Sequence, residues 1–300
     1  MPEIAPIQTA PTQTRSLQQA LNDRTLAGLK GPVAVILIED DSAVEATLNH
    51  HLNCGFRSVL ALSARPLAPM PALEDPRVLN LNCDTTRRGA TTEIMNPIIA
   101  ALPAGTWVYY CYNAEFLFYP FSETRSVGEL LAFHTEERRD AMLAYVIDLY
   151  AADLSQNPDA VNLPQAMFDA KGYYALGRQS ADGAYLERQQ DFLGGLRWRF
   201  EEHLPPDRRR IDRIALFRAD KGLTLLPDHR FNIEEMNTYA CPWHHNLTAA
   251  IASFRVAKAL LRNPGSRWQI DSFVWRHSHP FEWNAQQLMD NGLMEPGQWF

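Results

Sequence analysis

The stretch Val33-Ala34-Val35-Ile36-Leu37-Ile38-Glu39-Asp40-Asp41 decides the fold. Six apolar residues, rich in β-branched side chains, run without a polar interruption, as in a strand buried on both faces of a parallel sheet. Three acids then mark the strand end. Just upstream, Gly31-Pro32 breaks whatever precedes it. Downstream, Val44, Leu48 and Leu52 recur every four residues and Gly55 follows, where a helix C-terminus favours positive φ. A helix of about three turns is predicted there.

Working outward, Leu17, Ala20, Leu21 and Leu29 predict a short leading helix after a Pro/Thr-rich arm, closed by Gly28 and the Gly31-Pro32 break. Residues 58–62 and 78–81 read as the second and third strands, residues 92–102 as a helix that Pro97 should kink or restart, and Trp107–Tyr112 as a fourth, aromatic strand. Strands alternating with helices imply an α/β fold with a mainly parallel central sheet flanked by helices, joined by right-handed crossovers. Such sheets bind ligands beyond the carboxyl ends of their strands. Two of those ends carry polar clusters, Glu39-Asp40-Asp41 and Asn113-Ala114-Glu115. Met142, Tyr145, Val146, Leu149 and Tyr150 predict one face of a long helix beginning near Glu136. Later come Gly194-Gly195, a strand at 213–217 and a terminal region dense in Trp, His and Pro. With no internal repeat, the expected division is an arm and short helix over 1–30, an α/β domain over 31–260 and an irregular extension over 261–300 packed on it.

Composition narrows the classes further. A chain of 300 residues that is 46% apolar and 21% charged can bury a large core, which sets aside disorder, collagen and coiled coil. A formal charge of -7 argues against nucleic acid as a partner, because phosphate binding needs clustered cations. Arg208, Arg209 and Arg210 follow Pro205-Pro206-Asp207 and read as a solvated turn. Cys54, Cys83, Cys111 and Cys241 lack the short paired spacings of zinc or redox motifs and read as reduced thiols. No apolar stretch approaches the ~20 residues of a membrane span, and the first thirty residues do not resemble a signal peptide. A cytoplasmic location without a transmembrane segment is expected.

Four motifs in order resemble the family 2-like glycosyltransferases of the type-A fold. His50-His51-Leu52-Asn53-Cys54-Gly55-Phe56 is similar to the family's HH-x-x-x-G step out of the first helix. Tyr112-Asn113-Ala114-Glu115-Phe116-Leu117, with Pro120 soon after, resembles the strand that ends D-x-D-E-F-L. Gly194-Gly195-Leu196-Arg197-Trp198-Arg199, preceded by residues 168–174, is similar to the G-G-x-R-x-R segment. Residues 225–229 and Trp243-His244-His245-Asn246 resemble the closing histidine segments. Together they run from about residue 33 to 260. One departure stands out: Tyr112 and Ala114 occupy the two Asp positions of D-x-D, so the motif is degenerate and both metal-facing carboxylates are missing. In the family those acids hold a divalent cation against the diphosphate.

The resemblance implies binding of a nucleotide-diphosphate sugar and transfer of the sugar to an unknown acceptor; a catalytically inactive binding or regulatory module is the alternative. Asp40 and Asp41 either accept hydrogen bonds from a nucleobase or ribose or cap the next helix. Asn113 and Glu115 lie at the donor-binding strand end. Asp191 or Glu187 is the candidate catalytic base for the acceptor hydroxyl. Gly194 and Gly195 either let the backbone approach a sugar or shape a turn. Arg197 and Arg199, two apart, would project from one face of a strand and grip a diphosphate, or form structural salt bridges. His229 and His245 are the candidate metal ligands, and any Mn or Mg is expected to bind weakly. His50 and His51 read as packing or hydrogen-bonding residues.

Overall fold

The computed structural model describes residues 15–239 and 246–299. Helix α1 (Leu17–Asn22) opens with a capping box in which Ser16 and Gln19 satisfy each other's backbone N–H groups. Strand β1 (Val33–Ile38) follows and is buried at every position. Helix α2 (Val44–Asn53), strand β2 (Ser58–Ser63), strand β3 (Val78–Asn82), helix α3 (Ala90–Ala101) and strand β4 (Trp107–Tyr112) complete the first half as the apolar pattern predicts. Pro97 lies inside α3, which continues to Ala101. Strands β3, β2, β1 and β4 lie side by side, all parallel. The ends of β1 and β4 share one edge, where the Glu39 N–H donates to Asn113 Oδ1 at 2.9 Å.

Strand β5 (Glu115–Phe118) and helix α4 (Val127–Glu136) come next, and then strand β6 (Ala141–Ala151). The helix predicted over Met142, Tyr145, Val146, Leu149 and Tyr150 is therefore corrected: a helix ends at Glu136, and those residues form a strand. All eleven positions of β6 are buried. A run apolar at every position but Asp148 contains a helical subset by default, and its period does not separate a buried strand from a buried helix.

Strands β7 (Ala166–Asp169), β8 (Tyr174–Gln179) and β9 (Tyr185–Leu193) lead to helix α5 (Gly195–Arg199) and strand β10 (Asp212–Arg218). Strand β11 (Ala249–Ser253), helix α6 (Arg255–Arg262), the short helix α7 (Pro264–Arg267), strand β12 (Ser278–Pro280) and helix α8 (Ala285–Asp290) finish the chain. β10 lies antiparallel between β4 and β6, and β11 runs parallel to β6 and antiparallel to β5. The result is an α/β protein with one ten-stranded central sheet flanked by helices, and a separate two-stranded ribbon of β8 and β9. Among the described residues no helix is long and apolar enough to cross a membrane.

Candidate functional site

Beyond the carboxyl ends of β1, β3 and β4 the surface opens into two adjoining cavities of about 420 and 260 Å³. The larger lies against α6 and the turn at residues 228–229, and the smaller lies over the start of α3. Glu39, Thr86, Arg208, His229 and Arg255 border both and form the waist between them. Seven Arg or Lys side chains line the larger cavity against five Asp or Glu, and the smaller adds Arg87 and Arg88 without a further acid. In a chain of net charge -7 this concentrates positive potential at one sheet edge.

The acid-rich end of β1 is not free. Asp40 accepts from Lys258 Nζ at 3.0 and 3.1 Å, from Arg262 at 2.7 Å, from Asn113 Nδ2 at 2.7 Å and from the Ser42 N–H at 2.9 Å. Burial alone would raise its pKa, but Lys258 and the other donors hold it well below the usual carboxylate range. Asp40 does not cap α2, whose N-cap is Ala43 without a side-chain bond. Glu39 takes a two-pronged grip from Arg255 Nε and Nη2, at 2.8 and 2.7 Å. Asp41 points outward with its side chain 85% exposed, 3.5 Å from Arg65.

Glu115 lies beneath the cleft rather than in it. Its carboxylate has no exposed surface and is gripped by Arg213 at 2.7 and 3.1 Å, by Ser253 Oγ at 2.9 Å and by the Tyr112 N–H at 3.0 Å. Burial pushes its pKa up, but the Arg213 charge and hydrogen bonds more than offset this and hold it at about 2. Tyr112, where the resemblance would put the first Asp, is equally buried; its Oη meets Thr91 Oγ1 at 2.6 Å, and the Arg255 guanidinium lies 3.6 Å from its ring centroid. Ala114, at the second, is buried and in the left-handed region with φ 59.

The Gly-Gly segment differs from its expectation. Arg197 and Arg199 lie on α5, not on a strand, so their side chains are about 200° apart around the axis. Arg197 binds buried Asp148 through its backbone N–H and Nε, both at 3.3 Å, and still borders the larger cavity. Arg199 instead grips Asp169 at 3.1 and 3.2 Å under the ring of Trp275. Gly194 and Gly195 serve close packing: a Cβ would meet Tyr173 at 2.2 Å in one case and Asp148 at 3.0 Å in the other. Asp191 is held by Arg178, Arg210 and Arg230 at 2.9, 3.2 and 2.6 Å, in a network that also takes in Asp212 and Asp228. Glu187 lies on β9 with its side chain 84% exposed. Neither borders the cavities.

His229 stands at the waist. It occupies a tight turn closed by Leu226 N–H to Arg230 O at 2.7 Å, and its φ of 65 places it in the left-handed region. A non-glycine residue there is strained by about 1–3 kcal/mol, a pattern that concentrates at functional sites. Tyr110 Oη lies 3.0 Å from Nδ1. Burial first, then the charges of Arg213, Arg255, Arg208 and Arg197, push its pKa well below the usual histidine value, so the ring is neutral at pH 7. His245 lies outside the described residues. Among the described residues no group of three His, Cys, Asp or Glu is placed to hold a metal ion. His50 and His51 pack as expected, bonded to Leu117 O and Thr47 O at 2.7 Å each.

Sequence reasoning missed the cations of α6. Arg255, Lys258 and Arg262 recur at i, i+3 and i+7, one helical face, and that spacing was a readable signal. The solvated turn expected at Arg208–Arg210 is exposed at Arg208, and Arg208 and Arg210 also line the cleft. No protein-family model matches this sequence, and no curated protein matches it.

Proposed function

We propose that the cleft binds a nucleotide-diphosphate sugar and that the protein is glycosyltransferase-like, passing the sugar to an acceptor hydroxyl. The observation that carries this reading is the cationic waist at the carboxyl edge of the parallel strands β1, β2, β3 and β4 in an otherwise acidic molecule. Guanidinium and imidazole donors suit phosphate oxygens, and a cavity on either side offers room for the nucleoside and the sugar. The uncapped start of α3 adds partial positive charge from the same direction. Transfer breaks the bond from the anomeric carbon to the diphosphate and forms one to the acceptor oxygen, whose proton then goes to a base.

A second reading, a binding module of the same fold without catalysis, is favoured by the fate of the two candidate bases. Asp191 is occupied by three arginines and Glu187 lies away from the cleft. A thermal-shift panel of sugar nucleotides tests the shared part: a ligand at ~100 times its Kd stabilises by about 2.7 kcal/mol. No shift with any donor refutes both readings. Release of free nucleoside diphosphate by the stabilising donor, with acceptors supplied, selects the transferase; its absence selects the module.

A further inference from the structure

The waist between the two cavities contains one cation whose orientation is fixed from several sides and which still has donors to give. Arg255 begins α6 directly after β11, and its backbone N–H donates to Ser253 Oγ at 3.2 Å. Ser253 in turn donates to buried Glu115, and the Phe254 N–H bonds Ala114 O at 3.0 Å, so the helix start is tied to the sheet. The guanidinium lies on the Tyr112 ring, which Thr91 fixes through its hydroxyl. Nε and Nη2 grip Glu39, whereas Nη1 has no hydrogen-bond partner among the described residues. Arg255 borders both cavities.

Its neighbours differ. Arg213 spends Nη1 and Nη2 on Glu115. Lys258 and Arg262 are bonded to Asp40. Arg208 reaches the waist, but its side chain is 47% exposed and its one ion pair among the described residues is with Asp207 at 3.6 Å. Asp40 accepts five hydrogen bonds and has no lone pair to spare, and the charge of Glu39 is matched by Arg255, so these two acids offer little to a hard cation, which seeks several oxygens.

We propose that Arg255, laid on the ring of Tyr112, is the built-in counter-charge for a pyrophosphate group at the waist, taking the part that an acid-held divalent ion would otherwise play. Tyr112 is then a platform rather than a lost ligand. A cation held against an aromatic face and a carboxylate keeps its free edge aimed without reorganisation when the anion arrives. The Arg255 Nη1 hydrogens, neutral His229 and half-exposed Arg208 would meet the phosphate oxygens together. This inference rests on the reading of the cleft as a sugar-nucleotide site and names how that site tolerates its ligand's charge.

The test uses the full chain, inorganic pyrophosphate as the probe and chelator throughout, with affinity read by titration calorimetry. Wild type binds pyrophosphate, and Arg255→Met weakens it at least tenfold while circular dichroism shows the fold retained. An Arg255→Met affinity within twofold of wild type overturns the proposal. If that variant does not fold, Arg255→Lys decides, because it keeps the charge and a partner for Glu39 but loses the fork: a fivefold loss supports the proposal, and a value within twofold of wild type overturns it. Sugar nucleotides that stabilise wild type and Arg255→Met alike refute the role of Arg255 and leave the site reading standing. Failure of wild type to bind any sugar nucleotide or pyrophosphate refutes both.

Discussion

Arg213 and Arg255 both lie over the ring of Tyr112, at 5.4 and 3.6 Å, and both grip a glutamate with two hydrogen bonds. Their surroundings separate them. The Arg213–Glu115 side chains are 3% and 0% exposed, with Ser253 and the Tyr112 N–H filling the remaining acceptor positions. The Arg255–Glu39 side chains are 26% and 23% exposed and border both cavities. Identical chemistry therefore divides into a dry pair that ties β10 to β5 and a wet pair that keeps donors for a visitor. Breaking a buried pair leaves a charge stranded, whereas water covers the loss at a half-open one.

The sharpest way to break this comparison is to remove one carboxylate at a time. Glu115→Gln is expected to cost about 3–5 kcal/mol in urea unfolding, and Glu39→Gln about 1 kcal/mol or less. Equal losses would erase the distinction. The pH profile carries the same signature. The Glu115 pKa is depressed in the fold, from 4.5 to about 2. Its contribution is therefore complete above pH 4.5 and is lost as pH falls towards 2. Wild-type stability should rise with pH across that window, and Glu115→Gln should lack that component of the slope.

A smaller effect separates the two arginines of α5. Arg199→Lys is expected to cost about 1–2 kcal/mol in thermal unfolding through its lost fork on Asp169 and its contact with Trp275. Pyrophosphate affinity should stay unchanged, because Arg199 does not border the cleft. A tenfold loss of affinity would place Arg199 in the site after all. The smallest expected effect is that of millimolar Mn²⁺ on the best sugar nucleotide, less than tenfold in affinity, or under about 1.4 kcal/mol. A larger gain would mean that other ligands assemble around the ion.

The parallel half of the sheet was legible because β1, β2, β3 and β4 are short runs bounded by Gly, Pro or acids, and the intervening helices show their own period. β6 was not, because its burial on both sides erases alternation and leaves length as the only guide. The candidate cleft was legible in part. Strand-end reasoning pointed to the edge where Asp40 borders the cleft, and the family resemblance named Arg197 and His229, which border it too. Neither could foresee that Arg213, 98 residues away in sequence, would seal Glu115 below the floor, or that three arginines would occupy Asp191. Pairing partners of a buried charge arrive from distant strands, and no local pattern names them.

The ribbon of β8 and β9 joins the body in an uneven way. At its inner end Phe192 packs on Tyr145 and Tyr239, with ring centroids 4.8 and 5.7 Å away. Farther out, attachment passes through Arg178, which reaches Asp212 of β10, and through Asp191, which receives Arg210 and Arg230. Tyr174, Leu176 and Tyr185 stand exposed along it. Backbone bonds add to this attachment, Ile211 N–H to Phe192 O at 2.8 Å and Tyr239 N–H to Arg188 O at 3.0 Å, while the outer turn of the ribbon stays exposed, so the segment is expected to open locally more readily than the sheet. Its amide hydrogens are expected to exchange with solvent through a partial opening that salt eases, while those of the fully buried β1 exchange more slowly.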